Sequence, residues 1–293
     1  MDTFKDIMVK IDDRETAAAA LETALIAARK FTAHLDVFHI KPQPSCLVPV
    51  PVVSSDIASF VVNEVVTADE QAADETADKT RAVFNEFVVN HGLRQTGAPQ
   101  KNIGEVSAEY REFDGDEAEM TAWCARAADL MVLPRPTENN PDDALEIVNA
   151  AVMEGGSAVL LAPQTKSPSV GERIAILWDG SEEASKAVSY AIPFLVRAQE
   201  VVIIETEVPL EEIAGAAELA KRLAWHEIDA QVVKMPEISS VSERAAEVVK
   251  QTCAHYDMLV MGAYTQSSMR RWILGSFTKN LILNADIALL MSH

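Results

Sequence analysis

Residues Glu172 to Val196, ERIAILWDGSEEASKAVSYAIPFLV, read as a short apolar strand that ends on Asp179 and passes through Gly-Ser into an Ala-rich helix. The same figure occurs near the start of the chain. There FKDIMVKIDD, from Phe4 to Asp13, precedes the helical pattern AAAALETALIAAR, from Ala17 to Arg29. A missed repeat misreads the whole fold, so the repeat is followed outward first. Second-strand candidates are LDVFHI (Leu35 to Ile40) and VVIIET (Val201 to Thr206), both rich in β-branched residues. Later come DLMVLP from Asp129 and DMLVMG from Asp257, preceded by amphipathic stretches at Asp116 to Ala127 and Val241 to His255. The last pair is AVLLA (Ala158 to Ala162) and IALLM (Ile287 to Met291).

Strands that are apolar throughout, rather than alternating, are those covered on both faces, as in a parallel sheet between helices. Strand and helix in series imply right-handed crossovers and a doubly wound sheet. The fold class expected is therefore α/β, with two tandem doubly wound domains. Their boundary falls in PQTKSPSVG (Pro163 to Gly171), a polar stretch with two prolines and a glycine, giving domains 1–166 and 167–293. The first copy carries an inserted segment, 42–100. It opens with the Pro-rich KPQPSCLVPVPVVSSD and continues as a helix from about Ile57 to Asn90. Glu64, Asp69, Glu70, Asp74, Glu75 and Asp78 form an acidic run on that helix, read either as a solvated face or as a partner-binding element.

Forty-eight per cent of the residues are hydrophobic and 24% charged, an ordinary globular balance. With 45 acidic against 25 basic residues the net charge is -20, which repels a phosphate backbone and argues against nucleic acid. Cys46, Cys124 and Cys253 stand apart, and the six histidines have no ligand spacing, so neither disulfides nor a zinc site is indicated. The acidic N-terminus is unlike a signal peptide, and no apolar run is long enough to span a membrane. A cytoplasmic protein is expected.

Ligands of a doubly wound sheet bind at the carboxyl ends of the strands, where strand order reverses. Asp179 ends the first strand of the second copy. Its carboxylate either accepts hydrogen bonds from a base or ribose, or caps the helix after it. The stretch MGAYTQSSMRRWILGSFTKN, Met261 to Asn280, leaves a buried strand at Gly262 and reaches Gly275-Ser276-Phe277-Thr278 before an apolar helix. Glycines let the backbone approach phosphate, and N–H groups and hydroxyls at a helix start donate to the anion. Arg270 and Arg271 add positive charge; a plain glycine turn with two surface arginines is the alternative.

These residues carry a resemblance. The order of elements, the strand-end Asp and a glycine pattern ending in Gly275-Ser276 resemble universal stress proteins, whose nucleotide-binding members carry Gly-x2-Gly-x9-Gly-Ser/Thr. The resemblance covers nearly the whole chain as two copies, with the motif in the second alone. It implies a five-stranded parallel sheet of order 3-2-1-4-5 in each copy. It also implies a pseudo-dimer in which the strands near Ala158 and Ile287 pair. A nucleotide, ATP with Mg2+, would lie against Asp179 and Thr206, the strand exit Met261 and Gly262, and the phosphate turn Gly275 and Ser276 with Phe277 and Thr278. The motif's second glycine is Thr265 here, which brings a Cβ and a hydroxyl towards the ligand. In the first copy Asp12 is kept, but Pro134 replaces Gly262, and Asp142, Asp143 and Glu146 stand near where Gly275 and Ser276 would fall. That site is expected to be degenerate.

Three functions are expected, in order of preference. The first is a stress-response sensor or regulator binding an adenine nucleotide in the second copy. The second is a nucleotide-independent interaction scaffold with an unidentified protein partner. The third is a slow ATP hydrolase, disfavoured because the chain has no Walker loop and no paired base and nucleophile. Neither nucleic acid nor membrane is an expected partner, and homodimerisation beyond the pseudo-dimer is left open.

Overall fold

In a computed structural model, the structure describes residues 3–42, 55–99, 104–137, 141–206, 212–235, 251–263 and 276–293, with the side chains of 55–69, 212 and 276 set aside. The first copy runs β1 (Asp6–Lys10), α1 (Thr16–Phe31), β2 (His34–Lys41), α2 (Ser55–His91), β3 (Arg94–Gln95), β4 (Ser107–Asp114), α3 (Glu117–Ala127), β5 (Leu130–Leu133), α4 (Pro141–Glu154) and β6 (Ala158–Leu161). The second runs β7 (Arg173–Trp178), α5 (Glu182–Leu195), β8 (Glu200–Glu205), α6 (Ala216–Ala224), β9 (Ala230–Lys234), β10 (Met258–Gly262), α7 (Ser276–Asn284) and β11 (Ala288–Ser292), with a short 3-10 turn at Glu212–Ala214. Of the stretch Val241 to His255, only 251–253 are described as helical; 241–250 lie outside the described residues.

The strands among the described residues join one eleven-stranded sheet, ordered β3-β4-β2-β1-β5-β6-β11-β10-β7-β8-β9. Within each copy the order is the expected 3-2-1-4-5, all parallel. The copies meet where β6 and β11 pair antiparallel, setting Leu161, Leu160 and Val159 opposite Leu289, Leu290 and Met291. This is the expected pseudo-dimer. The first copy departs from five strands by one. Helix α2 ends at Gly92 in the left-handed conformation (φ 61°), Leu93 N–H returns to Val88 O, and the chain is delivered as the edge strand β3 beside β4.

The apolar strands are explained by burial on both faces. Ile7, Val9 and Ile11 face a core layer that includes α1 and α5, while Met8, Met131 and Leu133 face a second layer with α4 and α7. Both layers run through both copies. Phe4, Phe31 and Phe194 form an aromatic cluster across the copies, with centroids 4.8 to 5.6 Å apart. The connecting segment closes over it: Gly171 has φ 70°, and a Cβ there would fall 2.6 Å from the Phe194 ring. Lys30 Nζ donates to Gly171 O and pairs with Glu172. No helix among the described residues is long and apolar enough to cross a membrane.

Candidate functional site

At the carboxyl end of β7 the chain turns through Asp179, Gly180 (φ 76°) and Ser181. Asp179 Oδ1 accepts from Ser181 N–H at 3.0 Å, and Ser181 Oγ accepts from Ala184 N–H at 3.2 Å. The helix is thus capped by Ser181, while Asp179 shapes the turn that precedes it. Asp179 Oδ2 has no partner among the described residues, and the residue is half-buried at the strand edge. Thr206, half-buried at the end of the neighbouring strand, donates from both N and Oγ1 to Trp178 O, at 2.9 and 3.1 Å. Its hydroxyl hydrogen therefore serves the sheet, leaving the oxygen as an acceptor.

Gly262 closes β10, and a Cβ there would lie 2.5 Å from Ala184 N and 2.8 Å from Glu183 C. The start of α5 packs directly on this strand exit, which explains the glycine without reference to a ligand. Close packing also brings Glu183 in, only 6% exposed on the first turn of α5. Met261 turns its side chain into the core, so only its main chain borders the crevice. Phe277 is partly buried against the same core layer and Thr278 is buried, both in the first turn of α7. Ser276 begins that helix. Thr265, Gly275, Arg270 and Arg271 lie outside the described residues. Hydrogen bonds thus tie Thr206 to the β7 end, where Asp179 follows in the chain, and α5 packs on Gly262. On the far side, Trp178 Nε1 donates to Ala214 O, and buried Glu205 accepts from Ala216 N–H, tying the start of α6 to the sheet.

The first copy repeats the Asp turn and changes what surrounds it. Asp12 Oδ1 accepts from Arg14 N–H at 3.0 Å, but its Oδ2 also faces Arg14 Nε at 3.3 Å. Lys10, almost fully buried, pairs with Glu117 at 2.8 Å. The partly open cleft bounded by Lys10, Asp12, Thr16, Pro134 and Ile147 has a volume of about 20 Å3, room for a water. Asp142, Asp143 and Glu146 are exposed at the start of α4, and Asp142 lies 3.9 Å from Lys279 of the second copy.

Sequence reasoning passed over Arg135. It stands just after β5, is 2% exposed, and reaches across the junction. Its Nε donates to Ala162 O, Nη1 to Leu281 O and Ile282 O, and Nη2 to Ile287 O, at 2.7 to 3.0 Å. Burial pulls the guanidinium down to about 9, with Asp286 opposing, so it remains a cation at neutral pH. The only local signal is its place between Pro134 and Pro136. Cys124 and Cys253 are buried free thiols, which desolvation pushes up to about 11 and about 12 and so keeps protonated.

A family model described as the universal stress protein family matches residues 172–293. No curated protein sequence matches the chain. Among solved structures, a universal stress protein from Archaeoglobus fulgidus DSM 4304 is similar over 98% of this chain and 97% of its own, at 14% identity and a TM-score of 0.62. A functionally unknown protein from Pseudomonas aeruginosa PAO1 is similar over 99% of this chain and 93% of its own, at 14% identity and a TM-score of 0.54. The second copy belongs to the universal stress protein family, and the chain as a whole carries that fold twice, joined back to back through β6 and β11.

Proposed function

We propose that this stress-response protein binds ATP or a related adenine nucleotide in its second copy, residues 167–293, and acts as a sensor or regulator through that site. Residues 1–166, with the inserted segment 42–100, form a unit whose own site is degenerate. The observation that carries the reading is the asymmetry of the two Asp turns. Asp179 keeps an oxygen without a partner among the described residues, whereas both oxygens of Asp12 are engaged by Arg14, one by its N–H and the other by its guanidinium. Asp179 and Thr206 would meet the base and ribose, Gly262 and the main chain of Met261 the strand exit. Thr265, Gly275, Ser276, Phe277 and Thr278 would complete the phosphate side. Among the described residues no group of three metal-ligating side chains exists, so Mg2+ would arrive on the phosphates and take at most a carboxylate from the protein.

Calorimetric titration of the full chain with magnesium-ATP tests this. Binding is expected, weakened about tenfold by Asp179→Ala, the order expected when a charged hydrogen-bond partner is removed. Asp12→Ala is expected to leave it unchanged. No heat and no thermal stabilisation at saturating nucleotide would sink the reading. That outcome is what the second reading, a nucleotide-independent scaffold, expects; buried Glu183 beside Gly262 favours it, because a carboxylate there opposes phosphate.

A further inference from the structure

The carboxyl end of α7 is capped by residues from outside its own copy. The last carbonyls of a helix have no partner within it. Here Leu281 O and Ile282 O accept from Arg135 Nη1, and Leu283 O accepts from Gln164 Nε2. Arg135 also holds Ile287 O, just before β11, and Ala162 O, just after β6, so one guanidinium joins helix, strand entry and the β6–β11 seam. No carboxylate pairs with it among the described residues within salt-bridge distance. Its compensation is the four carbonyls and the negative end of the α7 dipole. By register the second copy has Ala263 where the first has Arg135, so the equivalent residue does not repeat this reach.

Helix α7 has nine residues and starts at Ser276. A short rigid helix held at one end has its other end set as well. We infer that Arg135 is a positioning residue for anion binding in the second copy: the first copy uses the strand exit of its degenerate site to fix α7, and with it the helix start that faces the nucleotide phosphates. The inference rests on the proposed nucleotide function for its ligand, and on the hydrogen bonds of Arg135 for its mechanism. It assigns the first copy a purpose its cleft does not, as the support that orients its neighbour's site.

The test uses the full chain with Arg135→Met, Arg135→Lys and, as a junction control, Tyr190→Phe. Tyr190 Oη donates to Gly156 O across the copies without touching α7. Magnesium-ATP affinity is read by calorimetry, and amide exchange is followed over 276–285. Arg135→Met is expected to weaken affinity about tenfold, within the usual range of coupling energies, and to speed exchange at the end of α7. Arg135→Lys, which keeps the charge but cannot span four carbonyls, is expected to recover part of both. Tyr190→Phe should change neither. Wild-type affinity in a folded Arg135→Met protein overturns the inference, as does an equal loss in Tyr190→Phe, which would mark a general junction effect. Should Arg135→Met not fold, the lysine variant decides by the same two readouts. If the wild-type chain binds no nucleotide, the nucleotide reading fails by itself. Exchange then judges the mechanism: faster exchange in the Arg135 variants supports the hold on α7, and unchanged exchange overturns it.

Discussion

The strand exits of β5 and β10 occupy equivalent places in two copies of one fold, yet one is Pro134-Arg135 and the other Gly262-Ala263. Around both, the Asp keeps its hydrogen bond, 3.0 Å from carboxylate to the N–H two residues on, although the middle residue is left-handed Gly180 in the second copy and Asp13, without positive φ, in the first. The turn belongs to the fold, whereas the exit is packed differently in each copy. An Asp holding its own backbone is needed to start α1 or α5 whatever binds there. The residues that end or follow β5 and β10 differ, forming an interdomain clamp at Arg135 in one copy and a side-chain-free approach of α5 at Gly262 in the other.

The largest effect is expected at Gly262. Gly262→Val puts a Cβ within 2.5 Å of the α5 backbone, which cannot give way as a side-chain tip would. A loss of about 3 kcal/mol is expected, at the upper end for overpacking, measured by urea denaturation. The equivalent change in the first copy, Pro134→Ala, should cost about 1 kcal/mol or less, the scale of a loop proline. Equal losses would show that the two exits are packed alike, contrary to the contacts of α5.

Much of this was legible in sequence, and the limits have physical reasons. The strands buried on both faces announce themselves because every position is apolar, as in β5, β6 and most of β7. By contrast β4, SAEYREFD, lies near an edge with most residues half-exposed, and β9 leaves Val232 and Val233 about 40% exposed, so neither shows a continuous apolar run. The two-residue β3 has no pattern at all. The Asp turns were readable because an Asx turn is local. Arg135 was not, because three of its four acceptors lie about 150 residues further on. Likewise Gly262 was legible as a glycine, but its reason, the approach of α5, is tertiary.

A second pair of equivalent aspartates lies at the opposite end of the sheet. Asp129 Oδ2 accepts from the N–H groups of Lys5 and Asp6, and Asp257 from those of Glu172 and Arg173, so each fourth strand's leading aspartate pins the start of the first. Asp257 is 6% exposed, whereas Asp129 is half-buried and one of its hydrogen bonds lies in solvent. Asp257→Ala is therefore expected to cost about 2 kcal/mol and Asp129→Ala about half of that, since water can replace a partner only where it reaches. Thermal denaturation of the two variants, side by side, checks the ratio.

The smallest effect separates Asp6 from Arg173, the residues that begin β1 and β7 beside those aspartates. Arg173 there carries charge opposite to Asp257, but Asp6 faces Asp36 and Asp129, and its Oδ1 is buried with no hydrogen-bond partner among the described residues. Burial first, then these two carboxylates, raises the Asp6 carboxyl above its ordinary value. The sign comes from proton binding. Between the ordinary and the raised value the folded chain holds more of this proton than the unfolded one, so stability falls as pH rises through that interval and the penalty persists at neutral pH. Asp6→Asn removes the charge and should stabilise the chain at pH 7 by about 1 kcal/mol or less, the scale of a partly exposed site. The gain should shrink as pH falls below the ordinary aspartate value, where the wild-type residue is protonated in both states. Melting curves of both proteins from pH 3 to 7, roughly spanning the ordinary aspartate range, show this as two lines that diverge towards neutrality. Parallel lines would mean that Asp6 keeps its charge without cost, and that the first strands of the two copies begin on equal terms.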